Sequence, residues 1–214
     1  DIPAILSEAF AIAAEGRPGP VLVDIPKDVA ASYVAVSGAA TFPEWTAPEP
    51  DASAIRAAEK LIEQSNHPLF YIGGGVEMAH ASAELRALVA RTGIPAVSTL
   101  KGLGTIPTTD DLFLGMLGMH GTRAANIAVQ DSDLLIVLGA RFDDRATGKL
   151  NAFAPNARII HADIDPAEIN KLRRADVAIV GNLKTTIETL NPKVAGIQKW
   201  VEKCKADKWE YRFK

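Results

Sequence analysis

Apolar positions along this chain follow two different rhythms. From Ile2 to Glu15 they recur at helical spacing (Ile2, Ile5, Leu6, Ala9, Ile12), which predicts a helix stopped by Gly16. "RPGP" then turns the chain, and "VLVDIP" reads as a short apolar strand. One helix and one strand have no second layer to bury against. Residues 1–34 therefore read as the last unit of a preceding domain. "SGAATFPEWTAPEPDAS" has no periodicity and is rich in proline, glycine and small residues, so residues 35–50 read as a linker.

Strands and helices alternate regularly beyond that point. A helix is predicted over 52–64, capped by Asp51 or Ser53. The strand "PLFYIGGG" follows, then the helix "MAHASAELRALVART", stopped by Gly93. Next come the strand "PAVSTL", the loop "KGLGTIP", the strand "LGMLG" and the helix "TRAANIAVQ". "DLLIVLGA" and "ARIIHADID" are strands, and "PAEINKL" opens a short helix with Pro166 at an early position. The strand "VAIVG" and the helix "LKTTIETL" complete the series. Most of these strands are near-continuous apolar runs, as strands buried on both faces must be. The pattern predicts an α/β fold over 51–190: a doubly wound, six-stranded parallel sheet with helices on both faces, Rossmann-like. The tail over 191–214 carries six lysines, two tryptophans and a tyrosine and reads as a linker or as a helix missing its partner.

Composition narrows the function classes. With 48% hydrophobic and 23% charged residues the chain has enough apolar surface for a packed core. A net charge of -3 provides no basic footprint for nucleic acid. The one cysteine, Cys204, excludes an internal disulfide framework. No His/Cys cluster has zinc spacing, and no apolar run approaches the roughly 20 residues of a membrane span.

Ligands of open parallel sheets bind beyond the carboxyl ends of the strands. The residues at those ends are Gly73, Gly74 and Gly75; Thr99 to Gly102; Gly118 to Thr122; Gly139 to Asp143; Asp163 to Asp165; and Gly181 with Asn182. Glycines there allow close approach of a ligand to the backbone, and an acid can grip ribose hydroxyls. Each feature also has a plainer reading. "GGGVEM" departs from G-x-G-x-x-G at Met78 and can be a tight turn. Asp163 can cap a helix begun by "PAEI". His120 can be a surface histidine and His161 a packed one. Arg141 and Arg145 can pair with Asp143 and Asp144 as a solvated cluster. Co-location at one sheet edge is what favours a binding role.

Several stretches together resemble the thiamine-diphosphate-dependent acetolactate synthase (acetohydroxyacid synthase) large subunit family: "GRPGPVLVDIPKDV", "GGGV", "STLKGLGTIP", "LGMLGMHGTRAAN", "GARFDDRATG" and "HADIDPAEI". The resemblance spans essentially the whole chain. Its first stretch is shared widely among thiamine-diphosphate enzymes, whereas "MLGMHGT" and "RFDDRATG" are more particular. It implies a chain centred on the middle one of three α/β domains, the one that binds FAD along its strand ends. It carries FAD contact over to Arg17, to Gly73, Gly74 and Gly75, and to Thr99, Leu100, Leu117, Gly118, Met119 and His120. On the second half of the sheet it implies Gly139, Ala140, Arg141, Asp143, Arg145, Asp163, Ile164, Asn182 and Leu183. The two arginines would lie along the FAD diphosphate and flavin, with Asp143 orienting them or touching the cofactor. Lys101 and Asn182 stand where some relatives carry methionine and aspartate.

The resemblance also implies what lies elsewhere. Thiamine diphosphate and its Mg²⁺ would be held by the flanking domains, through an upstream glutamate and a downstream Gly-Asp-Gly motif that this sequence does not contain. No residue here is therefore assigned a catalytic or metal-binding role, and the chain alone is expected to be inactive. The parent enzyme would join two 2-oxo acids with loss of CO2 in branched-chain amino-acid synthesis. It would act as a homo-oligomer, with or without a small regulatory subunit, in the bacterial cytoplasm or in a plastid or mitochondrion. Another thiamine-diphosphate enzyme, such as glyoxylate carboligase or pyruvate oxidase, and a non-catalytic nucleotide-binding module are the alternatives.

Overall fold

In the computed structural model, which describes residues 2–35 and 45–212, the chain divides into two units, Asp1–Ala47 and Pro48–Lys214. In the first unit the predicted helix forms as α1 (Ile2–Ala14), and Gly16 ends it with a positive φ of 57°. A single turn, α2 (Lys27–Ala30), follows. The strand expected from "VLVDIP" does not form. A lone strand has no ladder partner for its backbone, and Leu22 stands 89% exposed. Of the expected linker, residues 36–44 lie outside the described residues.

The second unit holds the sheet. Its elements are α3 (Ala52–Glu63), β1 (Pro68–Ile72), α4 (Gly75–Met78), α5 (Ser82–Thr92), β2 (Ala96–Ser98), β3 (Phe113–Met116), α6 (Arg123–Asp131), β4 (Leu134–Leu138), α7 (Asp144–Thr147), β5 (Arg158–Asp163), β6 (Val177–Val180), α8 (Leu183–Thr189) and α9 (Gln198–Glu210). The six strands are parallel, in the order β3-β2-β1-β4-β5-β6. This is the doubly wound α/β arrangement that the apolar runs predict. β1 and β4 are buried at every position.

Each helix starts and stops where side-chain chemistry permits. Asp51, rather than Ser53, caps α3 by accepting from Ser53 N at 2.8 Å, and Ile55, Ala58 and Ile62 face the core. Gly93 ends α5 in the left-handed conformation (φ 68°), Thr122 caps α6 and Asn182 caps α8. Two cores result. Residues of α3, α5 and α8 pack on one face of the sheet, and residues of α6 and α9 pack on the other.

In the second unit the helix expected from "MAHASAELRALVART" is broken, Met78 ending α4 and α5 starting at Ser82, and two further segments differ from the sequence reading. "PAEINKL" forms turns, not a helix. The Asp165 carboxylate accepts from Ala167 N, the Asn170 side chain accepts from Ala175 N, and Asn170 is left-handed (φ 61°). Local side-chain hydrogen bonds of this kind compete with a helix. The tail is neither a linker nor a partnerless helix. Helix α9 buries Trp200 and Cys204 against the second core, and Trp200 donates its indole N–H to the carbonyl of Pro68 at 2.9 Å. Among the described residues, no helix is long and apolar enough to cross a membrane.

Candidate functional site

Register brings the strand ends level. Ile72 pairs with Ser98 and with Leu138, Ser98 with Met116, and Leu138 with Ala162. The next residues, Gly73, Thr99, Leu117, Gly139 and Asp163, therefore form one row across the carboxyl edge of the sheet. The order of strands reverses between β1 and β4. Such a reversal is where ligands of open parallel sheets bind, and Gly73 and Gly139 stand on its two sides.

The glycines in the row are first of all required by the chain itself. A Cβ on Gly73 would lie 2.0 Å from the carbonyl oxygen of Gly139, and one on Gly75 would lie 2.7 Å from the Gly139 Cα. Gly73 N donates to Leu138 O and Gly75 N to Gly139 O, both at 2.9 Å. Gly139 has φ 57°, where a side chain is strained. The amides of Gly73 and Gly75 thus join the loops after β1 and β4 rather than facing outward. Gly74 packs on Lys101, where a Cβ would approach its Cβ to 2.8 Å.

Beyond β3, Gly118 (φ 96°) is held by Asn126, which accepts from its N–H at 2.8 Å and donates to its carbonyl at 3.0 Å. Met119 N donates to Arg145 O at 3.1 Å. The loops after β3 and β4 therefore meet. Leu117 is buried beneath them, while Leu100 and Met119 stand 70% and 66% exposed and His120 is exposed. Those two apolar side chains on a polar edge are surfaces for a flat, partly apolar ligand.

The "GARFDDRATG" segment presents its charges outward and anchors its backbone inward. Arg141 and Arg145 are exposed, Ala140 and Phe142 buried. Asp143 caps α7 by accepting from Ala146 N at 3.3 Å. Among the described residues neither arginine forms an ion pair with Asp143 or Asp144, so neither the solvated ion-pair cluster nor arginines oriented by an Asp143 pairing is what forms. Two guanidinium groups without a carboxylate partner suit a diphosphate, whose oxygens each fork can bind with two parallel hydrogen bonds.

At β5, Asp163 is 8% exposed and accepts from Asp165 N at 3.0 Å; it caps no helix. Burial raises its pKa above the ordinary 3.8, against the lowering effect of the Asp165 N–H and of His161. His161 is fully buried, as a packed histidine should be, and burial lowers its pKa below the ordinary 6.5. Ile164 is half-buried beside Asp163. At β6, Asn182 accepts from Lys184 N at 3.0 Å and Thr185 N at 3.2 Å, so its oxygen is committed to the helix cap. Leu183 is buried, its Cδ2 against Gly139. Arg17 belongs to the first unit, exposed on the turn after α1. Tyr71 escaped the sequence reading: its hydroxyl donates to Arg141 O at 3.0 Å. Nothing in "PLFYIGGG" distinguishes that tyrosine from an ordinary core residue. Among the described residues, no group of three or more His, Cys, Asp or Glu side chains could hold a metal ion.

Comparison with known proteins gives the family. Residues 55–190 match the family model described as thiamine pyrophosphate enzyme, central domain. The chain is similar to the acetolactate synthase isozyme 2 large subunit of Escherichia coli (strain K12), 47% identical over 211 residues, which is 95% of this chain and 37% of that protein. It is 53% identical over 199 residues to an acetolactate synthase of Mycobacterium bovis, covering 89% of this chain and 31% of that protein. It is 46% identical over 203 residues to the chloroplastic acetolactate synthase 2 of Nicotiana tabacum, covering 89% and 29%. The chain spans roughly a third of the length of these curated relatives.

Proposed function

The chain belongs to the family of thiamine pyrophosphate enzyme central domains, and from that premise we propose that it is the FAD-binding region of an acetolactate synthase large subunit. One observation carries this reading. The register brings to one edge of the sheet a close-packed glycine junction, two exposed arginines and a buried carboxylate, with exposed Leu100 following β2 and Met119 following β3.

These residues fit FAD. Arg141 and Arg145 supply positive charge for the diphosphate. Asp163 supplies an acceptor for ribose hydroxyls, and Leu100, Met119 and His120 supply surface for the flavin. The buried Ser98 hydroxyl, at the end of β2, has no hydrogen-bond partner among the described residues and is a further polar group at this edge. Gly73, Gly74, Gly75, Gly118 and Gly139 let the loops at this edge close on one another, since a Cβ at each would meet a neighbouring loop. Thr99, Leu117, Ala140, Asp143, Ile164, Asn182 and Leu183 line the same edge. FAD there is a bound structural group, because the reaction of the parent enzyme has no net redox change.

The parent decarboxylates pyruvate and adds the resulting two-carbon unit to a second 2-oxo acid, pyruvate or 2-oxobutyrate, in branched-chain amino-acid synthesis. The remaining domains hold thiamine diphosphate and Mg²⁺. The parent acts as a homo-oligomer, with or without a small regulatory subunit. Titration of the protein with FAD and with riboflavin, followed by quenching of flavin fluorescence, tests the cofactor assignment. FAD should bind saturably and riboflavin, which lacks the diphosphate, at least tenfold more weakly, on the order of two charge-assisted hydrogen bonds. Equal binding of the two would contradict it.

A further inference from the structure

Val137 of β4 pairs in register with Tyr71 on β1 and with His161 on β5. Tyr71 and His161 therefore flank β4 on the same face, and both side chains reach up to the loop that follows it. His161 Nε2 lies 2.9 Å from Ala140 O; a carbonyl oxygen can only accept, so Nε2 donates. The Tyr71 hydroxyl donates to the next carbonyl, Arg141 O, at 3.0 Å. Phe142 wedges between the two rings, edge-on to Tyr71 at 5.7 Å and to His161 at 5.5 Å.

The carbonyls of Ala140 and Arg141 belong to the two peptide planes on either side of the Arg141 Cα. Holding both planes fixes φ and ψ of Arg141, and with them the direction in which its Cβ leaves the backbone. The described peptide bonds are trans, so the N–H groups of Arg141 and Phe142 point opposite to the carbonyls that the buried side chains hold.

We propose that Tyr71 and His161 are a pair of positioning residues that preset Arg141, side chain and adjoining amides, to receive the anionic diphosphate of a dinucleotide. Neither side chain touches the ligand. They act through two backbone carbonyls, and each is placed by its register opposite Val137. This rests on the reading of the strand-end row as an FAD site.

The test is a double-mutant cycle on FAD affinity in the protein, with the melting temperature of the FAD-free form measured alongside. Tyr71→Phe removes only the hydroxyl and should weaken FAD on the order of tenfold, the scale of one lost hydrogen bond. In an Arg141→Ala background the same change should weaken FAD less than about twofold, because the group being positioned is gone. His161→Gln, whose amide N–H can reach the same carbonyl, should retain binding that His161→Leu loses. Equal losses from Tyr71→Phe in both backgrounds would mark a merely structural residue and overturn the positioning role, as would an unchanged affinity in Tyr71→Phe alone. An Arg141→Ala protein that binds FAD as the unaltered protein does would instead overturn the site reading, and the positioning role with it.

Discussion

Helices α1 and α9 are both 13 residues long, and they show how little a helix's own hydrophobicity decides. α1 reads IPAILSEAFAIAA and buries none of its residues; Phe10 is 64% exposed. α9 reads QKWVEKCKADKWE and buries Trp200 and Cys204. The difference is the surface on offer. α9 lies against α6 and β3, where one indole can fill a gap and satisfy the Pro68 carbonyl. α1 stands in a unit of 47 residues whose expected strand does not form. Burial is a property of a pair of surfaces, and a pattern along one segment reports only half of it.

The sharpest way to break this comparison is truncation at the two helices. Trp200→Ala should destabilise the second unit by about 3–5 kcal/mol, since it removes a buried aromatic and orphans a carbonyl. Phe10→Ala should change stability by less than about 0.5 kcal/mol. Chemical denaturation of both variants gives the answer. Comparable losses would mean that α1 contributes to folding as α9 does.

A second contrast lies within the strand-end row. Arg141→Ala should lower FAD affinity on the order of tenfold or more, and Lys149→Ala, an exposed lysine further along the same loop, should leave it unchanged. Flavin content of the purified variants reads this directly, and equal content would count against the role of Arg141.

The smallest expected effect concerns Asp163. Its folded pKa is raised by burial. The stability it contributes is thus full below its ordinary value of 3.8 and is lost as pH rises through the folded value. Above the folded value the ionised carboxylate is a burden. Asp163→Asn keeps an oxygen for Asp165 N and should stabilise the FAD-free protein by roughly 1 kcal/mol at pH 7. The gain should shrink as pH falls toward 3.8, and FAD binding should weaken. A stability gain that is constant with pH would point to some other cause.

Much of the fold was legible. The apolar runs at Leu69–Ile72 and Leu134–Leu138 form the fully buried strands they predict, and Gly93 and Asp51 end and cap helices as their chemistry suggests, whereas the capping role of Asn182 was not foreseen. The misreadings fall where local signals depend on what lies across space. "VLVDIP" has strand composition but no ladder partner, "PAEINKL" has helical composition but Asp165 and Asn170 take the backbone amides, and the lysine-rich α9 hides a two-residue apolar stripe. At the site, the glycines after β1 and β4 were visible, but their reason was not. Gly73 and Gly75 make room for Gly139, a contact set by the register of β1 against β4. Tyr71 was invisible for the same reason, since its hydrogen bond crosses 70 residues.

The central claim is that FAD lies along the carboxyl edge of the sheet in the second unit. Hydrogen–deuterium exchange of the protein with and without saturating FAD tests it most directly. FAD bound there should add protection in residues 99–102, 117–121, 139–147 and 163–165, with no change in residues 2–14 of α1. Protection confined to other segments, or none despite bound FAD, would contradict it.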